Sequence, residues 1–316
     1  MLRSFVKSTT TRQLQAISPN LEEVYLAFAK DQGFEPKNIT LSDGNKAYWI
    51  GDPSAEKVIL WFHGGGYNLP PEPGHLKFAS GLSQAADPNI PILLLAYTLV
   101  PHGTYPTQLR EAVELLRHTV TELKKKPEDV SIGGDSAGAN LAIGVLSHLM
   151  HPHPEIEPLR LETNLGAAIL LAPWASFRTD WPSTTYNANK DIVSARAGDK
   201  WSQSFLGGKE KDAYNEPLSA DPGWWRGLDD VVRDIMVVGG GDEVLIDCIR
   251  ELARQFEVCN HRCLSKCLLL IKMQAFHPGV ITVIAPDEWH DQPTVTILGQ
   301  GGEQDAAIKS FVKSRL

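Results

Sequence analysis

Unbroken apolar runs recur along the chain and set its rhythm. Val58-Ile59-Leu60-Trp61-Phe62, inside the segment Lys57–His63, has no polar position at all, as expected of a strand covered on both faces. Asn45–Asp52 before it and Ile90–Leu99 after it read as further strands. The period then changes. Across Thr107–Lys126 the apolar residues fall at Leu109, Ala112, Val113, Leu116, Val120 and Leu123, which is helical spacing. Lys124-Lys125-Lys126 sit where a helix C-terminus favours cations, as a solvated run, and Pro127 stops the helix. A strand at Asp129–Gly133 leads into a small-residue helix from Ala137 to about Met150, and strands follow at Gly166–Leu171, Asp234–Val238 and Val280–Ile284. A helical leader covers Asn20–Lys30.

Strands alternating with helices predict an α/β fold: a mainly parallel central sheet with helices on both faces. The rhythm fails between Phe177 and Gly227. That stretch is polar and rich in Pro, Gly and Asn, yet carries Trp181, Trp201, Phe205, Trp224 and Trp225, so it reads as an inserted helical cap. The domain reading is a core at 31–176 and 228–316, a cap or lid at 1–30 and 177–227, and an unusual insertion at 258–274 inside the core.

With 316 residues and a formal charge of −8, the chain would repel a phosphate backbone, and nucleic acid is not an expected partner. Its longest apolar stretches fall short of a membrane span. Arg3, Lys7 and Arg12 precede no continuous apolar segment, so the expected location is cytoplasmic. Ser314-Arg315-Leu316, a variant of the Ser-Lys-Leu address, keeps a peroxisomal destination open. The four cysteines, Cys248, Cys259, Cys263 and Cys267, lie too close together to staple distant parts of the fold.

Two glycine motifs carry the chemistry. Gly134-Asp135-Ser136-Ala137-Gly138 falls between a predicted strand and a predicted helix, where a sharp turn presents the hydroxyl and leaves no room for neighbouring side chains. His63-Gly64-Gly65-Gly66-Tyr67 ends the apolar strand, and its glycines let backbone N–H groups approach an oxyanion unobstructed. Together with Tyr97-Thr98-Leu99-Val100-Pro101, these motifs resemble the hormone-sensitive-lipase-like branch of the α/β-hydrolases over roughly residues 46–294. The resemblance implies an α/β-hydrolase fold, a Ser136 nucleophile, and oxyanion donors at Gly65, Gly66 and Ala137.

A serine needs a base, and the base needs an acid; this fold supplies them in the order Ser, Asp/Glu, His. Gly241-Asp242-Glu243-Val244-Leu245-Ile246-Asp247 looks like the family's Asp-x-Leu-x-Asp pattern with one extra residue. Asp242 is the expected acid, with Glu243 and Asp247 opening the following helix. His290, in the loop after Val280–Ile284, is the expected base. His277 reads as a surface turn residue, and His63 as a structural one. Tyr67, Trp174, Trp201, Phe205 and Trp289 are expected around the substrate.

The expected activity is a serine carboxylesterase or deacylase acting on a small to medium hydrophobic ester, with a secondary-metabolite tailoring role in view. It needs no cofactor and no metal, and a homodimer is compatible with it. Formamide cleavage and lactone opening use the same triad. Non-catalytic binding members of the family lack the histidine that His290 supplies here.

The family usually places about thirty residues between acid and histidine, but Asp242 and His290 are 48 apart (290 − 242). The surplus, 258–274, reads as a retained intron of 17 codons or as an extra helix. A metal site at Cys259, His261, Cys263 and Cys267 is the lesser reading, because zinc ligands normally come as two separated pairs.

Overall fold

A computed structural model describes residues 13, 15, 18–221, 223–259, 279–295 and 301–316. His277 and all but the first two positions of the 258–274 insertion lie outside the described residues, as do His261, Cys263 and Cys267 of the Cys/His cluster there.

Strands β1 (Asn38–Thr40), β2 (Lys46–Ile50), β3 (Val58–Phe62), β4 (Ile92–Leu95), β5 (Val130–Asp135), β6 (Leu165–Leu171), β7 (Val232–Gly240) and β8 (Val280–Ala285) form one sheet. Their order is β1-β2-β4-β3-β5-β6-β7-β8. Pairing is antiparallel at β1–β2 and β2–β4 and parallel from β4 through β8. All residues of β3, β5 and β6 are buried, which explains why β3 and β6 read as continuous apolar runs. One apolar cluster packs on each face.

Helices α1 (Leu21–Gln32), α2 (Pro73–Ser83), α3 (Thr107–Thr121), α4 (Ala137–Met150), α5 (Pro182–Tyr186), α6 (Ala195–Leu206), α7 (Ile246–Cys259) and α8 (Glu303–Arg315) accompany the sheet. Asn20 caps α1 through a reciprocal box with Glu23, and Gly33 closes it in a left-handed turn. Helix α3 stops at Thr121, short of the expected Lys126. Lys124 adopts φ 56° and the Lys125 N–H returns to the Thr119 carbonyl at 3.1 Å, so the lysines lie past the helix end. Lys125 Nζ also reaches the Pro53 carbonyl at 3.3 Å, so this lysine is docked and not merely solvated. The run Ile90–Leu99 pairs only over Ile92–Leu95.

Helices α5 and α6 belong to the 177–227 stretch. Phe205 of α6 stacks on Tyr67 with ring centroids 3.9 Å apart. Helix α5 is tied to the loop after β7: Ser183 Oγ donates to the Val244 carbonyl at 2.7 Å, and Asn187 Nδ2 to the Gly241 and Glu243 carbonyls at 2.9 and 2.8 Å. Among the described residues no helix is long and apolar enough to cross a membrane. The tripeptide Ser314-Arg315-Leu316 closes α8 packed against the body. The Arg315 carbonyl accepts from Arg233 at 3.0 Å, and the Leu316 carbonyl accepts from Lys57.

Candidate active site

Strand β5 ends at Asp135 and α4 begins at Ala137, so one residue makes the turn between them. That residue, Ser136, sits at φ 53° and ψ −114°, a conformation that costs about 1–3 kcal/mol unless its surroundings enforce it. The enforcement is on both sides. Its N–H donates to the Leu171 carbonyl at 2.9 Å, and its carbonyl accepts from Asn140 at 3.0 Å and Trp174 at 3.1 Å. The helix start lies so close to β3 that a Cβ on Gly138 would stand 1.9 Å from the Phe62 carbonyl oxygen. Only glycine fits there, and the strained serine is thereby held at the top of the sheet.

His290 arrives from the loop after β8. Its Nε2 lies 2.8 Å from Ser136 Oγ, and its Nδ1 lies 2.8 Å from Glu243 Oε2. The loops after β7 and β8 are joined by Gly241 N–H to the Ala285 carbonyl, 2.7 Å, and Asp242 N–H to the Glu288 carbonyl, 2.9 Å. Glu243 is fully buried and also accepts the Gly240 N–H.

Asp242 is therefore not the partner of the imidazole, and the expectation for it is corrected. Its carboxylate turns outward to Lys190 Nζ at 2.7 Å, while the turn closed by Glu243 N–H to the Gly240 carbonyl directs the next side chain inward. The signal was present in the sequence. Glu243-Val244-Leu245-Ile246-Asp247 fits the acid-x-Leu-x-Asp spacing without the extra residue, provided the first acid is glutamate.

Asp191, missed in the sequence, accepts from the His290 N–H at 3.1 Å and the Val244 N–H at 2.7 Å. A buried carboxylate between α5 and α6 thus holds both loops at once. Asp291, also missed, places Oδ2 3.1 Å from His290 Nε2. Burial works against a charged imidazole, but the carboxylates of Asp291, Glu243 and Asp191 outweigh it and push His290 up to about 10. Burial raises Glu243 above the usual carboxylate range despite its bond to the histidine.

Beneath the glycine loop lies a second buried group. Asp135 accepts from Gly64 N–H at 2.7 Å and Trp61 Nε1 at 3.1 Å, and pairs with His75 Nε2 of α2 at 3.2 Å. Burial opposes ionisation of Asp135, but the His75 charge and hydrogen bond prevail and lower it. For His75 the balance is mirrored: burial disfavours the charge, Asp135 overrides it, and the histidine is raised. His63 stacks on Tyr97, with Nδ1 2.6 Å from the Gly64 carbonyl, and burial pushes it down to about 4.

Among the described residues no acceptor takes the N–H groups of Gly65, Gly66 or Ala137. Gly66, Ser136 and His290 line a cleft of about 460 Å³ including its open mouth, walled by Trp174, Phe177 and Trp201. Trp201 lies over Gly66 so closely that a Cβ there would meet its ring at 2.5 Å. Trp174 and Trp201, two of the residues expected around a substrate, line this cleft. Tyr67, Phe205 and Trp289 are not in that wall. The first two are consumed in their mutual stack, with Tyr67 Oη donating to Asn140 at 2.6 Å, and the Trp289 carbonyl accepts from Gln304 of α8 at 3.0 Å.

A family model described as the alpha/beta hydrolase fold matches residues 59–268. The chain belongs to that family. This α/β hydrolase falls in the hormone-sensitive-lipase-like branch that its two glycine motifs indicate. It is 25% identical to steryl acetyl hydrolase 1 of Saccharomyces cerevisiae over 77% of its length, and spans 59% of that relative. An acetyl-hydrolase of Streptomyces hygroscopicus is 26% identical, over 70% of this chain and 69% of its own. In three dimensions the α/β hydrolase resembles an esterase from the bacterial hormone-sensitive lipase family, with a TM-score of 0.72 at 24% identity over 99% of this chain and 95% of that one, a likeness of fold.

Proposed function

We propose that this α/β hydrolase is a serine carboxylesterase whose substrates are short-acyl esters, acetyl esters foremost, of hydrophobic alcohols. The observation that carries the reading is the line Ser136 Oγ, His290, Glu243, with 2.8 Å at each step. Ser136 Oγ attacks the ester carbon as its proton passes to Nε2; Glu243 stabilises the resulting imidazolium through Nδ1–H. The N–H groups of Gly65, Gly66 and Ala137 receive the oxyanion. Collapse of the tetrahedral adduct breaks the bond to the alkoxide, which leaves with the proton from Nε2. Water then attacks the acyl-serine with His290 again as base, releasing the carboxylic acid and restoring the serine.

The short-acyl preference rests on the aromatic wall closing over Gly66 and on the acetyl-hydrolases among the relatives. It is tested with p-nitrophenyl esters from acetate to octanoate. Turnover should fall with chain length, and Ser136→Ala should lose about 10⁶-fold in kcat. Turnover unchanged by that substitution refutes the nucleophile. A preference for octanoate refutes the acyl size, and binding without acylation of Ser136 would make the chain a binding protein.

A further inference from the structure

Glu243 and His290 come from different loops, and their side chains meet at 2.8 Å, a spacing that holds only while the two backbones are fixed relative to each other. Toward the sheet the loops are joined directly, by the Gly241 N–H to the Ala285 carbonyl and the Asp242 N–H to the Glu288 carbonyl. Those ties stop short of both residues. Beyond them a carboxylate makes the link: Asp191, in the turn between α5 and α6. Its Oδ2 accepts the Val244 N–H at 2.7 Å, one residue past Glu243, and its Oδ1 accepts the N–H of His290 itself at 3.1 Å.

Asp191 is also fixed from its own side. Its N–H donates to the Asn187 carbonyl at 3.2 Å, the Asn187 N–H donates to the Ser183 carbonyl of α5 at 3.0 Å, and Oδ1 accepts the Ile192 N–H at 2.7 Å. The residue is 1% exposed, and these three donors to its carboxylate are main-chain N–H groups. It therefore holds backbones, which no change of rotamer can release. The donors approach from two sides, Val244 at one oxygen and Ile192 and His290 at the other, so the geometry requires two acceptor oxygens. Burying a carboxylate costs desolvation, and the three N–H bonds offset it.

We infer that Asp191 is a positioning residue of the catalytic line: its carboxylate sets the approach of Glu243 to His290 Nδ1 and, through the imidazole, the presentation of Nε2 to Ser136. The inference rests on the esterase reading above. Without the tie, Val244 and His290 are free to part, and the line from Glu243 to Ser136 lengthens at its first step. Asp191 does not itself line the cleft, so it acts only through the two residues it holds. Its segment continues into Val193 and Ser194, which do line it, so the wall facing a substrate and the carboxylate aligning the imidazole belong to one short stretch of chain.

The test compares the wild type with Asp191→Asn, which keeps the shape but turns an NH2 group toward one set of N–H donors, and with Asp191→Ala, which removes both acceptors. Rates on p-nitrophenyl acetate are taken per mole of Ser136 labelled to completion by a fluorophosphonate, so that any unfolded fraction drops out. In both variants kcat per labelled serine should fall about ten- to a hundredfold, as for a misplaced catalytic group, with KM within about threefold. Should Asp191→Ala not fold, Asp191→Asn carries the comparison. A merely structural role lowers the labelled fraction and the melting temperature but leaves kcat per labelled serine unchanged; that result overturns the inference, and so does a loss confined to KM. In parallel, the His290 Nδ1 proton, bonded to Glu243, should give a downfield resonance in the ¹⁵N-histidine-labelled wild type, identified by its loss in His290→Gln, that moves upfield or disappears in Asp191→Asn. An unshifted resonance equally overturns the inference. If the wild-type serine is neither labelled nor turns over ester, it is the esterase reading that fails, and the Nδ1 resonance still decides whether Asp191 sets the contact between Glu243 and His290.

Discussion

One step along the loop after β7 exchanges an outward carboxylate for a buried one, and the two neighbours should respond to mutation in opposite ways. Glu243→Gln keeps the shape but removes the charge that fixes the His290 tautomer, and kcat/KM should fall by about 10³- to 10⁴-fold. Asp242→Asn removes only a half-exposed pair with Lys190 and should stay within about threefold, since such pairs contribute roughly 0–1 kcal/mol. Steady-state rates on p-nitrophenyl acetate separate the two, and the reverse ranking would restore Asp242 as the acid. Ser136 and the glycine loop were legible because each is a contiguous motif whose spacing states its backbone need. Asp191 was not legible. Its bond to His290 spans 99 positions, and nothing local distinguishes it from a surface aspartate.

Among the elements, the apolar strands were readable because burial on both faces erases polar positions, whereas α2 was not. Its Pro73-Gly74 start resembles a loop, and its role depends on where the fold brings His75. The Asp135–His75 pair joins α2 to the serine turn and to the glycine loop through Gly64. Because the folded protein lowers Asp135, its contribution is present above the unfolded carboxylate value and is lost as pH falls through the folded one. Because it raises His75, that contribution is complete below about 6.5 and fades as pH rises through the folded value. The melting-temperature gap between wild type and His75→Gln should therefore be widest in mildly acidic solution, between the unfolded carboxylate value and about 6.5, and shrink as pH rises through the folded histidine value. A gap independent of pH would show that the pair does not titrate with folding. At the same turn, Gly138→Ala should cost more than about 4 kcal/mol, the range reserved for forced backbone displacement, and denaturant melts would measure it.

Across the whole molecule, the 177–227 stretch and the sheet meet around Ser136: Asp191 binds the loops after β7 and β8, Asn187 binds the loop after β7, and Trp201 lies over Gly66. The long spacing between acid and histidine must therefore be accommodated without moving either loop. The ends of that spacer show how. Glu257, near the end of α7, lies with Oε1 3.3 Å from Thr282 Oγ1 of β8, so the helix end and the strand are already adjacent. If residues 258–274 were removed, the five residues 275–279 would remain to join them, enough chain to span about 17 Å. A variant lacking 258–274 should accordingly fold, melt within a few degrees of the full chain, and label at Ser136 at a comparable rate. That outcome would agree with an insertion foreign to the fold, and transcripts without those 17 codons should then be found. Aggregation of the shortened chain, or loss of Ser136 labelling with the fold intact, would make the segment a working part of the hydrolase, because α7 and β8 carry the loops that hold Glu243 and His290.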